Sequence, residues 1–314
     1  MTKSRVIVVG AGPMALTYSR TLKALGVEFV VKGRGEDSAA LFFKSSGTRP
    51  YLRWEDIPNL ESFRSAIIAV DVSELVSASM EVLSHGIERL LIEKPGALNM
   101  GQLLSWSESH DLSGKEIFIA FNRRYFRVIS EAKKRIEEEG GLTSIHFDFS
   151  ERSRQIEKVQ KKAEVKANWL FANSSHVLDT VLFFTDGVSW TATSKAGRLL
   201  WHPSGAKFAG IGVSKSGATV TYNSDWLAPA GWEIVARTRL SNLRLKPLEV
   251  MTIENHFGEI ETLLEKDLDG SDLKPGLMRM TQDFLAPEPS SKLVTLESHL
   301  SQREFYARII SFDE

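Results

Sequence analysis

Three places in this 314-residue sequence combine residue types and spacing that suit chemistry. The first is Gly10-Ala11-Gly12-Pro13-Met14-Ala15. Glycines in a G-x-G-x-x-A order let a backbone turn tightly and come close to a pyrophosphate. Gly10 serves the turn, Gly12 the close approach and Ala15 the packing of the next helix on its strand, while Pro13 and Met14 complete the ligand-facing loop. The second place is Glu93-Lys94-Pro95. A lysine there can donate to a substrate hydroxyl or carbonyl oxygen, and burial can lower its pKa; the same residues also suit a plain turn shaped by Pro95. The third is Asn173-Ser174-Ser175-His176-Val177-Leu178-Asp179. His176 and Asp179 are three apart and share one face of a helix. An imidazole with an unperturbed pKa of about 6.5 suits proton exchange near neutrality.

Each place needs an element to hold it. Val6 to Val9 form a β-branched run directly before the glycines, and Leu16, Thr17 and Leu22 have helical spacing after them. Strand, glycine turn and helix together turn a bare glycine pattern into a dinucleotide-binding signal, with the helix N-terminus offering N–H groups to the phosphates. The alternative is an ordinary strand-to-helix turn. Phe29-Val30-Val31 reads as the second strand. An acid about 20 residues past the glycines would bind the ribose 2′-hydroxyl of NAD. Gly33 stands there instead, flanked by Lys32 and Arg34. Arg34 can hold a 2′-phosphate by charge-assisted hydrogen bonds, so NADP(H) is expected over NAD(H). Glu36 or Asp37 supplies the missing acid in the opposing reading.

The pattern continues with a helix over 38–44, a strand at Ala66 to Val70 and a helix over 73–85. Strands then come at Leu90 to Ile92, which ends in Glu93-Lys94-Pro95, and at Ile117 to Phe121. Alternating strands and helices imply a parallel sheet covered on both faces. The fold class expected is an α/β Rossmann dinucleotide-binding domain over 1–121. An α+β domain over 122–314, with an open, mainly antiparallel sheet, comes after it.

In that second part, residues 127–139 read as a charged helix with one solvated face and 144–149 as a half-buried strand. Arg152, Arg154, Lys158, Lys161, Lys162 and Lys166 make a basic stretch. It is read either as an exposed polar segment or as an arm that receives an anionic substrate. Asn173 or Ser174 is expected to cap the helix that carries His176. From Thr191 to Ile253 the apolar period is two, as in an antiparallel sheet with one face on helices. Thr221, Tyr222, Trp226 and Trp232 are expected on the other face, against a second subunit, so a homodimer or homotetramer is expected. Helices close the chain over 277–285 and 296–312.

Composition narrows the class. Net charge is −1, so no global field attracts nucleic acid or an anionic membrane. Cysteine is absent, which excludes disulfides and thiolate metal sites and fits a reducing compartment. The seven histidines show no ligand spacing, so no metal is expected. No run approaches 18 uncharged apolar residues, and the apolar run after Lys3 and Arg5 is broken by glycines and Pro13. A cytoplasmic protein with a small-molecule substrate is expected.

The order GAGPMA, AIIAVDVSEL, HGIERLLIEKPGAL, IAFNRRY resembles the glucose–fructose oxidoreductase/inositol dehydrogenase (Gfo/Idh/MocA) family over residues 4–150. Glu93-Lys94-Pro95 is the most specific part. The resemblance implies a hydride-transferring oxidoreductase of a sugar, cyclitol or nucleotide-sugar derivative. It makes Lys94 the catalytic lysine and His176 its partner at the substrate hydroxyl. It also places Val70, Asp71, Glu93, Pro95 and Asn122 around the cofactor, and Arg123, Arg152, Asn173 and Asp179 on the substrate side. Three departures stand out. Val70-Asp71-Val72 replaces a frequent Thr-Pro, so Asp71 is either a helix cap or a change in how the cofactor is held. Ala172 stands where many members carry an Asp that pairs with the histidine, and Ser174 replaces a glycine. Asn173 and Asp179 are the candidates to orient His176 instead. A cofactor-binding regulatory or scaffold protein without catalysis is the alternative function.

Overall fold

The computed structural model describes residues 5–229, 231–266 and 273–310. They form two compact units, one of 5–122 with 273–300, the other of 123–229, 231–266 and 301–310. In the first unit the strands are β1 (Arg5–Val9), β2 (Glu28–Lys32), β3 (Ser65–Ile68), β4 (Arg89–Glu93) and β5 (Glu116–Ala120). All five are parallel, in the order β5-β4-β3-β1-β2, and Val294–Thr295 adds an antiparallel edge beside β5. Continuous apolar runs such as Ile67-Ile68 and Leu90-Leu91-Ile92 are fully buried, as expected of strands covered on both faces.

The intervening helices are α1 (Pro13–Ala24), α2 (Glu36–Ser46), α3 (Leu75–Ser84) and α4 (Met100–Ser109). The sequence expectation contains no element at α4. Its signals are Asn99, which caps Gln102 N–H at 2.9 Å, and Leu103 with Trp106, three apart and both buried in the core. The sequence reading assigns everything after 121 to the second domain. Residues 273–300 instead pack with the first unit. The Arg89 guanidinium donates to the carbonyls of Phe284 (3.0 Å) and Ala286 (2.8 Å), at the end of the expected helix Leu277–Leu285.

The second unit is built on an eight-stranded sheet. Its strands are β6 (Ser144–Asp148), β7 (Val188–Ala196), β8 (Lys207–Ser214), β9 (Thr219–Asp225), β10 (Glu233–Arg237), β11 (Ser241–Leu245), β12 (Val250–Asn255) and β13 (Ile260–Leu264). The order is β13-β12-β11-β10-β6-β9-β8-β7, and every pair is antiparallel except β6 with β9. Against it lie α5 (Arg127–Glu138), α6 (Ser153–Lys158), α7 (Ala163–Ala167) and α8 (Ser175–Thr185). Charged α5 has a solvated face, and opposite it Val128, Ile129, Ala132 and Ile136 make one buried stripe. In α8 every residue but Phe183 is buried.

Two expectations are corrected. Tyr222 and Trp226 do not face outward with Thr221; they are 2% and 0% exposed, in an aromatic cluster with Phe208 and Phe149. Successive strand residues point to opposite faces, so Thr221 and Tyr222 cannot share one. The closing helix expected over 296–312 is two helices, Leu296–Ser301 and Arg303–Ile310, one in each unit. Residues 311 and 312 lie outside the described residues.

Candidate active site

In the first unit, successive strands lie on opposite sides of β1, so the sheet changes direction between β1 and β3. Ligands bind at that point, beyond the carboxyl ends of the strands. Gly10 comes directly after β1 there, with φ +118°. A Cβ at Gly10 would lie 2.3 Å from the Ala69 carbonyl oxygen, so both the angle and the contact require glycine. Gly12, the N-cap of α1, faces open space, with nothing within 4 Å of an added Cβ. Pro13 opens the helix, and no side chain caps it. The N–H groups of Met14 and Ala15 then lie in the first turn, where no intrahelical acceptor exists. An open glycine beside uncapped amides at the switch point is a fit for a dinucleotide pyrophosphate.

The other expected cofactor residues divide. Gly33 donates its N–H to the Tyr51 carbonyl at 2.8 Å. Arg34 is 86% exposed at its side chain and ion-paired to Glu74 at 3.2 Å. Asp71 accepts from Ser73 N–H (3.3 Å) and Oγ (3.1 Å), the helix-cap alternative. Val70 packs on the core. Asn122 is buried and donates to the Pro275 carbonyl at 3.0 Å, tying down the returning segment.

Glu93-Lys94-Pro95 leaves the carboxyl end of β4 with a cis Lys94–Pro95 bond. The Glu93 carboxylate accepts from the Tyr18 hydroxyl at 2.8 Å. Burial pushes its carboxyl up, opposed by the Lys274 charge, the Tyr18 hydrogen bond and Lys94. Lys274 Nζ lies 3.2 Å from Met14 Sδ. Sequence reading missed Tyr18 and Lys274. Tyr18 sits on the buried face of α1, and Lys274 arrives from the far end of the chain.

In the second unit, a π-helical turn (Leu170–Ser174) delivers the chain into α8, whose second residue is His176. Ser174 is the N-cap, but its hydroxyl does not cap the helix. It donates to Glu151 Oε1 at 2.7 Å, and Asn173 Nδ2 donates to the same oxygen at 2.9 Å. Glu151 is 6% exposed. Burial raises its carboxyl, opposed by Ser174, Asn173, Trp169 and Trp232. The Trp232 ring lies 6.0 Å from His176 and carries the Arg123 guanidinium 4.9 Å from its centre; Arg123 also pairs with Glu249 at 2.8 Å. Sequence reading passed over Glu151 in favour of Arg152, because nothing local signals that a glutamate in the loop after β6 turns inward.

Two candidates to orient His176 are otherwise engaged. Asp179 is buried in a bidentate pair with Arg124, at 2.8 and 2.7 Å, joining α8 to the turn before α5. Asn173 gives its amide to Glu151. Ala172 is buried and carries no polar group. Arg152 lines a cleft beside Trp232. Among the described residues no cluster of three or more His, Asp or Glu suits a metal, and no helix is long and apolar enough to cross a membrane.

No protein-family model and no curated protein sequence matches the chain. Solved structures do. It is similar to an NAD binding oxidoreductase from Klebsiella pneumoniae, with TM-score 0.76 and 13% identity over 98% of this chain and 96% of that one. A levoglucosan dehydrogenase, solved with NADH and levoglucosan, gives TM-score 0.77 at 14% identity, over 98% and 96%. UDP-N-acetylglucosamine 3-dehydrogenase from Acidithiobacillus ferrooxidans gives 0.73 at 14%, over 99% and 97%. At such identity the likeness is one of fold: a Rossmann-like α/β unit joined to a unit with a largely antiparallel sheet.

Proposed function

We propose that the protein is a nicotinamide-dependent oxidoreductase acting on a hydroxyl or carbonyl carbon of a sugar, cyclitol or nucleotide-sugar derivative. The observation that carries this is the open glycine turn at the switch point of a sheet that also presents Lys94 at the carboxyl end of β4. When bound, the nicotinamide supplies or accepts the hydride. The protein's share is binding and proton management. The amides after Gly12 hold the pyrophosphate, and Lys94 donates to the substrate oxygen as charge develops there. His176 exchanges the hydroxyl proton. Glu151 takes over part of the task of the carboxylate missing at Ala172. It fixes Asn173 and Ser174, and with them the start of α8 and the His176 backbone. Arg34 favours NADP(H) once a 2′-phosphate displaces Glu74 from it.

Ala172 is also the observation that favours a non-catalytic, cofactor-binding regulator. One experiment separates the two. NADP(H) and NAD(H) are titrated by fluorescence, and turnover is then measured on a panel of sugars, sugar acids, inositols and nucleotide sugars. The enzyme reading expects turnover that falls about 10²–10⁴-fold in Lys94→Ala and about 10²-fold or more in His176→Ala, with cofactor affinity within a few-fold. Tight cofactor binding with no oxidation or reduction of any panel member would favour the regulator.

A further inference from the structure

The second unit contains a cleft of about 790 Å³ bordered by Trp232, the residue whose ring meets His176. Its lining includes three cations, Arg152, Arg154 and Lys246, and no carboxylate. Pro229 and Pro247 supply part of its apolar wall. Arg152 and Arg154 are exposed and engage no ion-pair partner among the described residues. Lys246 is paired with Glu233 at 2.5 Å, but Arg244 claims the same carboxylate at 2.6 Å. With Lys246 and Arg244 sharing Glu233, Arg152 and Arg154 remain as the lining cations without an ion-pair partner among the described residues. A concave surface with apolar walls concentrates such a field on whatever enters.

Among the described lining residues Ser153 and Gln155 are the side chains able to accept from a neutral sugar's hydroxyls, so donors outnumber acceptors in the cleft. Two unpaired guanidinium forks two residues apart suit a group with several acceptor oxygens on one centre. That describes phosphate better than a hydroxyl ring or a single carboxylate. We propose that this cleft receives a phosphate or pyrophosphate carried by the ligand, so that the protein acts on a phosphorylated or nucleotide-linked sugar derivative. The anion preference stands on the cleft alone; that the ligand is a substrate rests on the oxidoreductase reading above.

The test is titration calorimetry on the full chain saturated with NADPH, which fills the dinucleotide site and leaves the cleft as the remaining anion site. The probes are glucose, glucose 6-phosphate and uridine diphosphate glucose, with the wild type, Arg152→Ala, Arg154→Ala and the double variant. Both arginines are exposed, so the variants should fold, and circular dichroism checks it. At least one phosphorylated probe should bind about tenfold or more tighter than glucose, and each arginine removed should weaken it by about tenfold. Tighter binding of glucose 6-phosphate indicates a sugar phosphate; tighter binding of the nucleotide sugar indicates a pyrophosphate link. Equal binding of charged and uncharged probes, or a double variant that binds like wild type, overturns the proposal. A parallel assay supplies NADP+ as the hydride acceptor and follows its reduction by each probe; arginine-dependent binding with no NADP+ reduction upholds the cleft and fails the oxidoreductase reading. Hydride transfer on an uncharged sugar at full rate in the double variant does the reverse.

Discussion

Glu151 holds the turn that leads into α8, and replacing it makes a quantitative forecast. One of its oxygens accepts from both Ser174 Oγ at 2.7 Å and Asn173 Nδ2 at 2.9 Å, and Ser174 is fully buried. Glu151→Ala strands the buried Ser174 hydroxyl, at about 1–3 kcal/mol, and the half-buried Asn173 amide, at less, and opens a small cavity. Against this, removing an acid whose charged form is disfavoured by burial returns some free energy. The net expectation is a loss of about 2–4 kcal/mol. Glu151→Gln retains an acceptor oxygen and the volume and removes only the charge, so it should stay within about 1 kcal/mol. The pH dependence separates charge from shape. Because the folded carboxyl is raised by burial, the folded state holds the proton more tightly than the unfolded one. That contribution to stability is complete below the unfolded value of about 4.3, and is lost as pH rises toward the raised folded value. Glutamine has no such term, so Glu151→Gln should gain on wild type as pH increases through this window. Urea unfolding of the three proteins, monitored by circular dichroism from pH 4 to 8, reads both effects. An alanine variant within about 0.5 kcal/mol of wild type, or a Gln-to-wild-type difference that does not change with pH, would refute the reasoning.

Three more outcomes rest on single contacts. Asp179→Asn leaves Arg124 buried without its bidentate partner, and should cost about 3–5 kcal/mol in urea unfolding. Glu74→Gln releases Arg34 and should tighten NADPH by about two- to five-fold, the worth of an exposed ion pair, with little change for NADH; Arg34→Ala should weaken NADPH by about tenfold or more, both read by fluorescence titration. Gly10→Ala forces a Cβ onto the Ala69 carbonyl at φ +118°, and should destabilise by more than about 1–3 kcal/mol in urea unfolding, or abolish cofactor binding if the turn yields instead.

Much of the first unit was legible in the residues themselves. Buried parallel strands need unbroken apolar runs, and a tight turn against a neighbouring carbonyl needs glycine, so Val6 to Gly12 and Leu90 to Pro95 declare their conformations within a few residues. The same holds for the period-two stretch that became β8 to β12. What the sequence by itself determined was therefore local: elements, their order, and the two places where chemistry-bearing side chains leave the end of an element. The tertiary structure decided which groups meet. Asp179 looked like a partner for His176 by helical spacing, yet Arg124, far away in sequence, claims its carboxylate. Ala172 looked like a lost carboxylate, yet Glu151, three residues beyond β6, reaches the same turn. The segment 273–300 looked continuous with the second domain, yet Arg89 and Asn122 bind it to the first unit. In each case a buried charge or polar group must find a partner when water is removed. Which partner it finds is set by the packing of segments distant in the chain, and no local pattern of residues encodes that choice.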